Sequence, residues 1–98
     1  MIEWFNTKSE VLFGNHLANF FISRIPKDSL SRANKKEVTK LKEVTDKMLL
    51  QIINYKLEHK LNVYKIAKMG NAFKWNLLDA GYDPAFIDTL TKRIMAGI

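Results

Sequence analysis

Cysteine is absent from the 98-residue chain, which excludes disulfides and thiolate-bound metal. Long apolar runs are also missing: the longest are a few residues, broken by Asn, His or Lys, and none approaches a membrane span. The N-terminus "MIEWFNTKSE" has an acid at position 3 and no basic segment ahead of an apolar stretch, so no signal peptide is expected. Between Lys35 and Lys60 there is neither glycine nor proline, nothing in the chain has the spacing of a glycine-rich phosphate loop, and no strand-like alternation persists. Neither internal repeats nor low-complexity segments occur. These absences leave a soluble cytoplasmic helical protein without integral membrane association as the expectation.

What is present is apolar and basic. Hydrophobic residues make up 47% of the chain, with six Phe, two Trp and three Tyr, enough for one modest core and too little for two. A single helical domain over residues 1–98 follows. The net charge of +6 is uneven: residues 31–62 carry eight bases against four acids, whereas residues 1–30 balance. Such a surface favours encounter with polyanions without selecting nucleic acid, acidic protein or anionic lipid.

Periodicity divides the chain into helices. Thr7 and Glu10 have the spacing of a capping box, after which Phe13, Leu17, Phe21 and Ile25 recur every fourth residue until Pro26. The first helix is therefore expected over about 8–24, with Trp4 and Phe5 covering its start as a hydrophobic staple. Asn34 and Glu37 form a second capping pair, and Val38, Leu41, Val44, Met48, Ile52 and Tyr55 follow at spacings of three and four. Leu49, Ile53, Leu57 and Leu61 run beside them, widening the apolar face toward the C-terminal half and predicting a second neighbour there. This long central helix, about 34–61, would project at its N-terminal half. There Val38, Leu41, Val44 and Met48 form a seam that can pack inside the chain or pair with a second copy as a homodimer. In "LLDAGYDPAF", Gly81 ends one helix in the left-handed conformation, Asp83 caps the next and Pro84 occupies its first position. A tight helix-helix corner at 81–84 results, followed by a last helix to about Ala96. The fold expected is all-α, a small bundle of four to five helices.

The segment "YKIAKMGNAFKWNLLDAGY" admits two readings. Gly70-Asn71 can be the turn of a two-helix reader of nucleic acid, but Ala67 and Gly70 are too closely spaced for that module and the second helix has few polar side chains for bases. Alternatively residues 63–80 form one helix, straight or kinked, with Ile66, Gly70, Phe73 and Leu77 on its apolar stripe and Gly70 marking a close approach. Trp75 points away from that stripe. It either packs on a secondary face with Leu78 and Leu49 or Leu57, or stands exposed as an aromatic anchor.

No catalytic or metal constellation emerges. His16 reads as a partly buried polar residue on the first helix, and neighbouring Glu58 and His59 diverge on a helix. Without cysteine or paired histidines, acids such as Asp79, Asp83 and Asp88 would have to assemble from a distance, and Asp79 and Asp83 already suit helix ends. No enzyme activity, cofactor or metal is expected. The candidate binding surface is basic and aromatic, comprising Lys56, Lys60, Lys65, Lys68, Asn71, Lys74 and Trp75. The leading expectation is a small intracellular protein-interaction module, with an unidentified protein or a second copy as partner. The alternative is a nucleic-acid-binding accessory protein using residues 56–75. Membrane attachment through Trp4, Phe5, Phe13 and Phe21 is a third reading, weakened by the absence of a basic face on the first helix.

Overall fold

A computed structural model describes residues 6–31 and 34–96. Four α-helices follow in order: α1 Lys8–Arg24, α2 Lys35–Glu58, α3 Val63–Asp79 and α4 Pro84–Met95, with a short 3-10 turn at Lys27–Ser31 between the first two. There are no strands among the described residues, and no helix is long and apolar enough to cross a membrane. Trp4 and Phe5, expected as a staple or membrane anchor, lie outside the described residues.

The helix ends show which capping signals operate. Asn34 accepts a hydrogen bond from the Glu37 amide (2.9 Å) and Asn62 accepts one from the Lys65 amide (2.8 Å), each satisfying an orphan donor of a first turn. The Thr7–Glu10 box does not form. Thr7 makes no side-chain cap bond, and the Glu10 carboxylate, instead of reaching back to the Thr7 amide, turns inward to the Tyr55 hydroxyl, 2.6 Å away. The central helix also ends three residues before the expected 61: His59 is extended, and its ring nitrogen Nδ1 lies 3.0 Å from the Tyr55 carbonyl. Asn62 then starts α3 instead of continuing α2.

The corner at 81–84 forms as its residue types require. Gly81 has φ +92°, where a side chain would be strained. Its amide bonds to the Leu78 carbonyl (3.0 Å) and the Tyr82 amide to the Leu77 carbonyl (3.1 Å), the paired bonds of a Schellman motif. Asp83 caps the Phe86 amide at 3.0 Å, with Pro84 in the first turn. Buried Tyr82 donates its hydroxyl hydrogen to the Ile25 carbonyl and packs against Phe21, ring centres 5.7 Å apart. The corner is thereby tied to the exit of α1.

The α1–α3 pair is the most extensive contact in the molecule, and α3 runs unbroken through Gly70-Asn71. Gly14, rather than Gly70, is the point of closest approach. A Cβ built at Gly14 would lie 2.4 Å from the Met69 carbonyl oxygen and 2.8 Å from the Ala72 Cβ. A Cβ at Gly70 would meet nothing nearer than Met95 Cγ at 3.4 Å, part of a flexible side chain. Leu17, Ala18 and Phe21 of α1 continue the seam against Met69, Phe73 and Leu77 of α3, all fully buried. Across it, α2 contributes Val44, Met48 and Ile52, and α4 contributes Ile87, Leu90 and Ile94.

Opposite outcomes are expected at the two glycines. Gly14→Ala should lower stability by about 1–3 kcal/mol through overpacking against backbone, while Gly70→Ala should raise it by up to about 1 kcal/mol through helix propensity. Chemical denaturation of both variants checks this; a stabilised Gly14→Ala protein would contradict the packing described.

Candidate binding surfaces and a buried polar knot

The predicted basic and aromatic residues divide between separate parts of the molecule. Lys56 is exposed on α2, and Lys60 is exposed in the 59–62 connection. Lys60 and half-buried Lys65 line an open cleft of about 950 Å³ with Glu10, Glu58 and His59. Lys68, Asn71, Lys74 and Trp75 all lie on α3. Lys68, Asn71 and Trp75 share one line with Tyr64, because spacings of four, three and four keep them on one side of a helix. This line faces away from buried Met69, Gly70, Phe73 and Leu77. Trp75 is 62% exposed, so it does not make the secondary packing contact with α2. The reason is topological: α2 leans on α1 and α4 and not on the side of α3 that carries Trp75. Asn71 is exposed on the same line, and the Lys68 ammonium sits 5.6 Å from the centre of the Tyr64 ring, within cation–π range.

The four residues of the expected self-association seam have different fates. Val44 and Met48 are buried in the intramolecular core, Leu41 is half-buried and Val38 is exposed. Val38 and Leu41 line a groove of about 280 Å³ with Phe86, Leu90 and Arg93 of α4. The seam is thus occupied inside the chain from Val44 onward. A different α2 stripe is open: Leu50, Ile53 and Leu57 are 59%, 45% and 79% exposed. At 100° per residue these three lie opposite Val44, Met48 and Ile52. The widening of the apolar face predicted for the C-terminal half of α2 is real, but among the described residues no second neighbour covers Ile53 or Leu57. Leu50 was the overlooked member, readable from its spacing of three to Ile53.

A buried polar knot joins α1 to the end of α2. Glu10 is only 2% exposed. Its Oε2 accepts from the Tyr55 hydroxyl at 2.6 Å, and with that proton committed, Ser9 donates to Tyr55, also at 2.6 Å. Phe13 and His59 stack on the Tyr55 ring at centre distances of 4.3 and 3.9 Å. His16 is exposed, not partly buried as its sequence position suggests, and reaches across to Gln51 Oε1 at 2.9 Å. The second Glu10 oxygen is buried without a hydrogen-bond partner. Nothing in this chain of bonds activates a nucleophile: Ser9 has the phenol as its acceptor, and the phenol holds its proton tightly. The arrangement fastens two helices. Among the described residues, no group of three or more His, Cys, Asp or Glu is placed to hold a metal ion.

Comparison of the chain with protein-family models, curated proteins and solved structures returns no match. The functional reading therefore rests on these surfaces.

Burial, and secondarily the hydrogen bond to Glu10, pushes the Tyr55 hydroxyl up from 10.0 to about 12, and burial raises Tyr82 as well. The unfolded chain releases these protons near 10, while the folded chain holds the Tyr55 proton to about 12. In that window the folded state binds more protons, so stability falls as pH rises; below about 10 the contribution is fully present. An ultraviolet titration should show phenolate formation delayed past the ordinary range, with the unfolding midpoint dropping in parallel. Tyr55→Phe should reduce the alkaline loss while costing about 1–3 kcal/mol at neutral pH, since it leaves buried Glu10 without its donor.

Proposed function

We propose that the protein is a helical protein-interaction module that self-associates through the outer face of α2. The observation that carries this reading is the exposed stripe Leu50, Ile53 and Leu57, set opposite the buried stripe of the same helix. Scattered exposed apolar residues need no explanation, but three successive turns of apolar side chains on one helix face form a patch that association can bury.

The charges around the stripe favour an antiparallel arrangement. Its N-terminal end is bordered by Glu43 and by Asp46, which is paired with Lys42 at 2.8 Å, and its C-terminal end by Lys56 and Lys60. A two-fold axis near Ile53 places Leu50 of one copy beside Leu57 of the other and brings the end that carries Glu43 and Asp46 toward the end that carries Lys56 and Lys60. A parallel pairing would set Lys56 and Lys60 against themselves. Isologous contacts of this kind close as dimers.

Magnitude sets the expected strength. Full burial of a Leu or Ile side chain is worth about 1.5–3 kcal/mol, so six across the interface give on the order of 10 kcal/mol. Association costs about 4–15 kcal/mol, which leaves at most about 6 kcal/mol and so a weak dimer with an affinity of roughly tens of micromolar or poorer. Sedimentation velocity between micromolar and millimolar concentration should show a concentration-dependent shift from monomer to dimer. Leu57→Asp should abolish the shift with an unchanged helical circular-dichroism spectrum, whereas Met48→Asp should unfold the chain. A particle that stays monomeric at millimolar concentration would overturn the self-association.

A further inference from the structure

One end of the bundle gathers exposed apolar side chains and lysines. The start of α1, the end of α2 and the start of α3 meet there, since residues from all three line the cleft of about 950 Å³. Val63 at 82% and Leu57 at 79% are the most exposed large apolar side chains among the described residues. Leu57 directly precedes Glu58 and Val63 directly follows Asn62, so the two stand on the shoulders of the 59–62 connection. Leu12, 60% exposed, lines the cleft with half-buried Leu61. Lys8, Lys56 and Lys60 are exposed at this end, and half-buried Lys65 lines the cleft. The acids among them are exposed Glu58 and buried Glu10, whose carboxylate is turned inward to Tyr55.

We infer that this end of the molecule docks on an anionic lipid surface as a peripheral contact. The strength of such a contact scales with the apolar area placed below the headgroups and with the attraction of nearby bases to anionic lipid. Leu57, Val63 and Leu12 supply the apolar area, and the lysines supply the attraction. A lysine stem lies along apolar surface while its ammonium stays among the phosphates, so Lys56 and Lys60 can border an inserted Leu57 without leaving water. Between the apolar side chains the cleft offers room for a headgroup, with Lys8, Lys60 and Lys65 on its walls.

The combination of charge and protruding apolar groups selects this occupant. Nucleic acid would engage the lysines and leave Val63 and Leu57 in water. An acidic protein would need a packed pocket for each of them, because protein interfaces are close-fitting at their core and side chains on two shoulders of a connection form no continuous groove. A lipid interface is fluid and closes around each side chain without preformed complementarity. Leu57 belongs also to the α2 stripe, but Val63, Leu12 and the cleft lysines do not. Lipid docking and self-association are therefore separable.

The test is co-sedimentation at low salt with vesicles of phosphatidylcholine alone and of phosphatidylcholine mixed with phosphatidylserine. Affinity for the mixed vesicles should exceed that for the neutral ones by about tenfold or more. The pair Lys60→Gln and Lys65→Gln should weaken binding about twenty-fold, since each base near an anionic surface contributes about fivefold. The pair Leu12→Gln and Val63→Gln leaves the charge unaltered and should weaken binding about tenfold with an unchanged helical circular-dichroism spectrum. Leu50→Asp, which disrupts the proposed dimer, should leave vesicle binding intact. Val63→Trp, in a background with Trp4→Phe and Trp75→Phe, should shift its emission to the blue on binding. Glycerophosphoserine should not release the protein, because without acyl chains it offers nothing to Leu12, Leu57 and Val63. No binding to the mixed vesicles would overturn the inference. Binding unchanged by Leu12→Gln with Val63→Gln would reduce the effect to bulk charge. Release by glycerophosphoserine would assign the cleft to a soluble phosphate, and release by polyglutamate at matched charge would assign the surface to an acidic protein; each of these results also overturns it.

Discussion

The approach of Gly14 to the Met69 carbonyl oxygen sets the geometry that everything else follows. At this point α1 lies against the backbone of α3, so close that no side chain fits between them. The inner faces of both helices are consumed by that contact, with Leu17, Ala18 and Phe21 packed on Met69, Phe73 and Leu77. Everything else is arranged around this pair. Helix α4 folds back through the Gly81–Asp83 corner to close one side, and α2 is laid across α1 and α4. Because α1 claims the inner side of α3 and α2 is directed elsewhere, Asn71 and Trp75 on the opposite side of α3 stay exposed.

The buried polar knot performs a complementary task at the far end of α2. Apolar packing is non-directional and would tolerate sliding of α2 along α1. The Ser9–Tyr55–Glu10 bonds are directional, and a buried carboxylate that lost its donor would be penalised strongly. They therefore set the register of α2, with stacking of Phe13 and His59 on Tyr55 fixing the ring plane. Once the register is set, the inner stripe at Val44, Met48 and Ile52 is committed to the core and Leu50, Ile53 and Leu57 are directed outward. The exposed residues of α3 and of α2 thus have separate causes: the first follow from the α1–α3 contact, the second from the anchoring of α2.

Local signals read well wherever the competing interactions were themselves local. The Gly81-Tyr82-Asp83-Pro84 corner contains all the chemistry it needs within a few residues, and Asn34 caps its own first turn. The Thr7–Glu10 spacing failed for the opposite reason. Glu10 had two available partners, and the one chosen, Tyr55, is distant in sequence, so no local pattern could reveal that the carboxylate would turn inward. Gly70 drew attention because it interrupts an apolar stripe, yet the glycine that matters for close approach is Gly14, whose clashing atoms belong to another helix. Trp75 was readable as lying off the core stripe; whether another helix would cover it was not.

The sequence by itself determined that this chain is all-α, where its first and last helices begin and end, where it turns sharply, and which residues carry the basic and aromatic character. Those properties depend on periodicity, capping and torsional preference, which act over a few residues. Only the tertiary structure decided which of two apolar stripes on α2 enters the core, that the seam from Val44 onward is used internally, and that Asn71 and Trp75 stand exposed beside half-buried Lys68 while Lys60 and Lys65 border a cleft. Exposure is a property of what lies opposite a side chain. That is set by long-range packing, here by one missing Cβ at Gly14 and one buried carboxylate at Glu10.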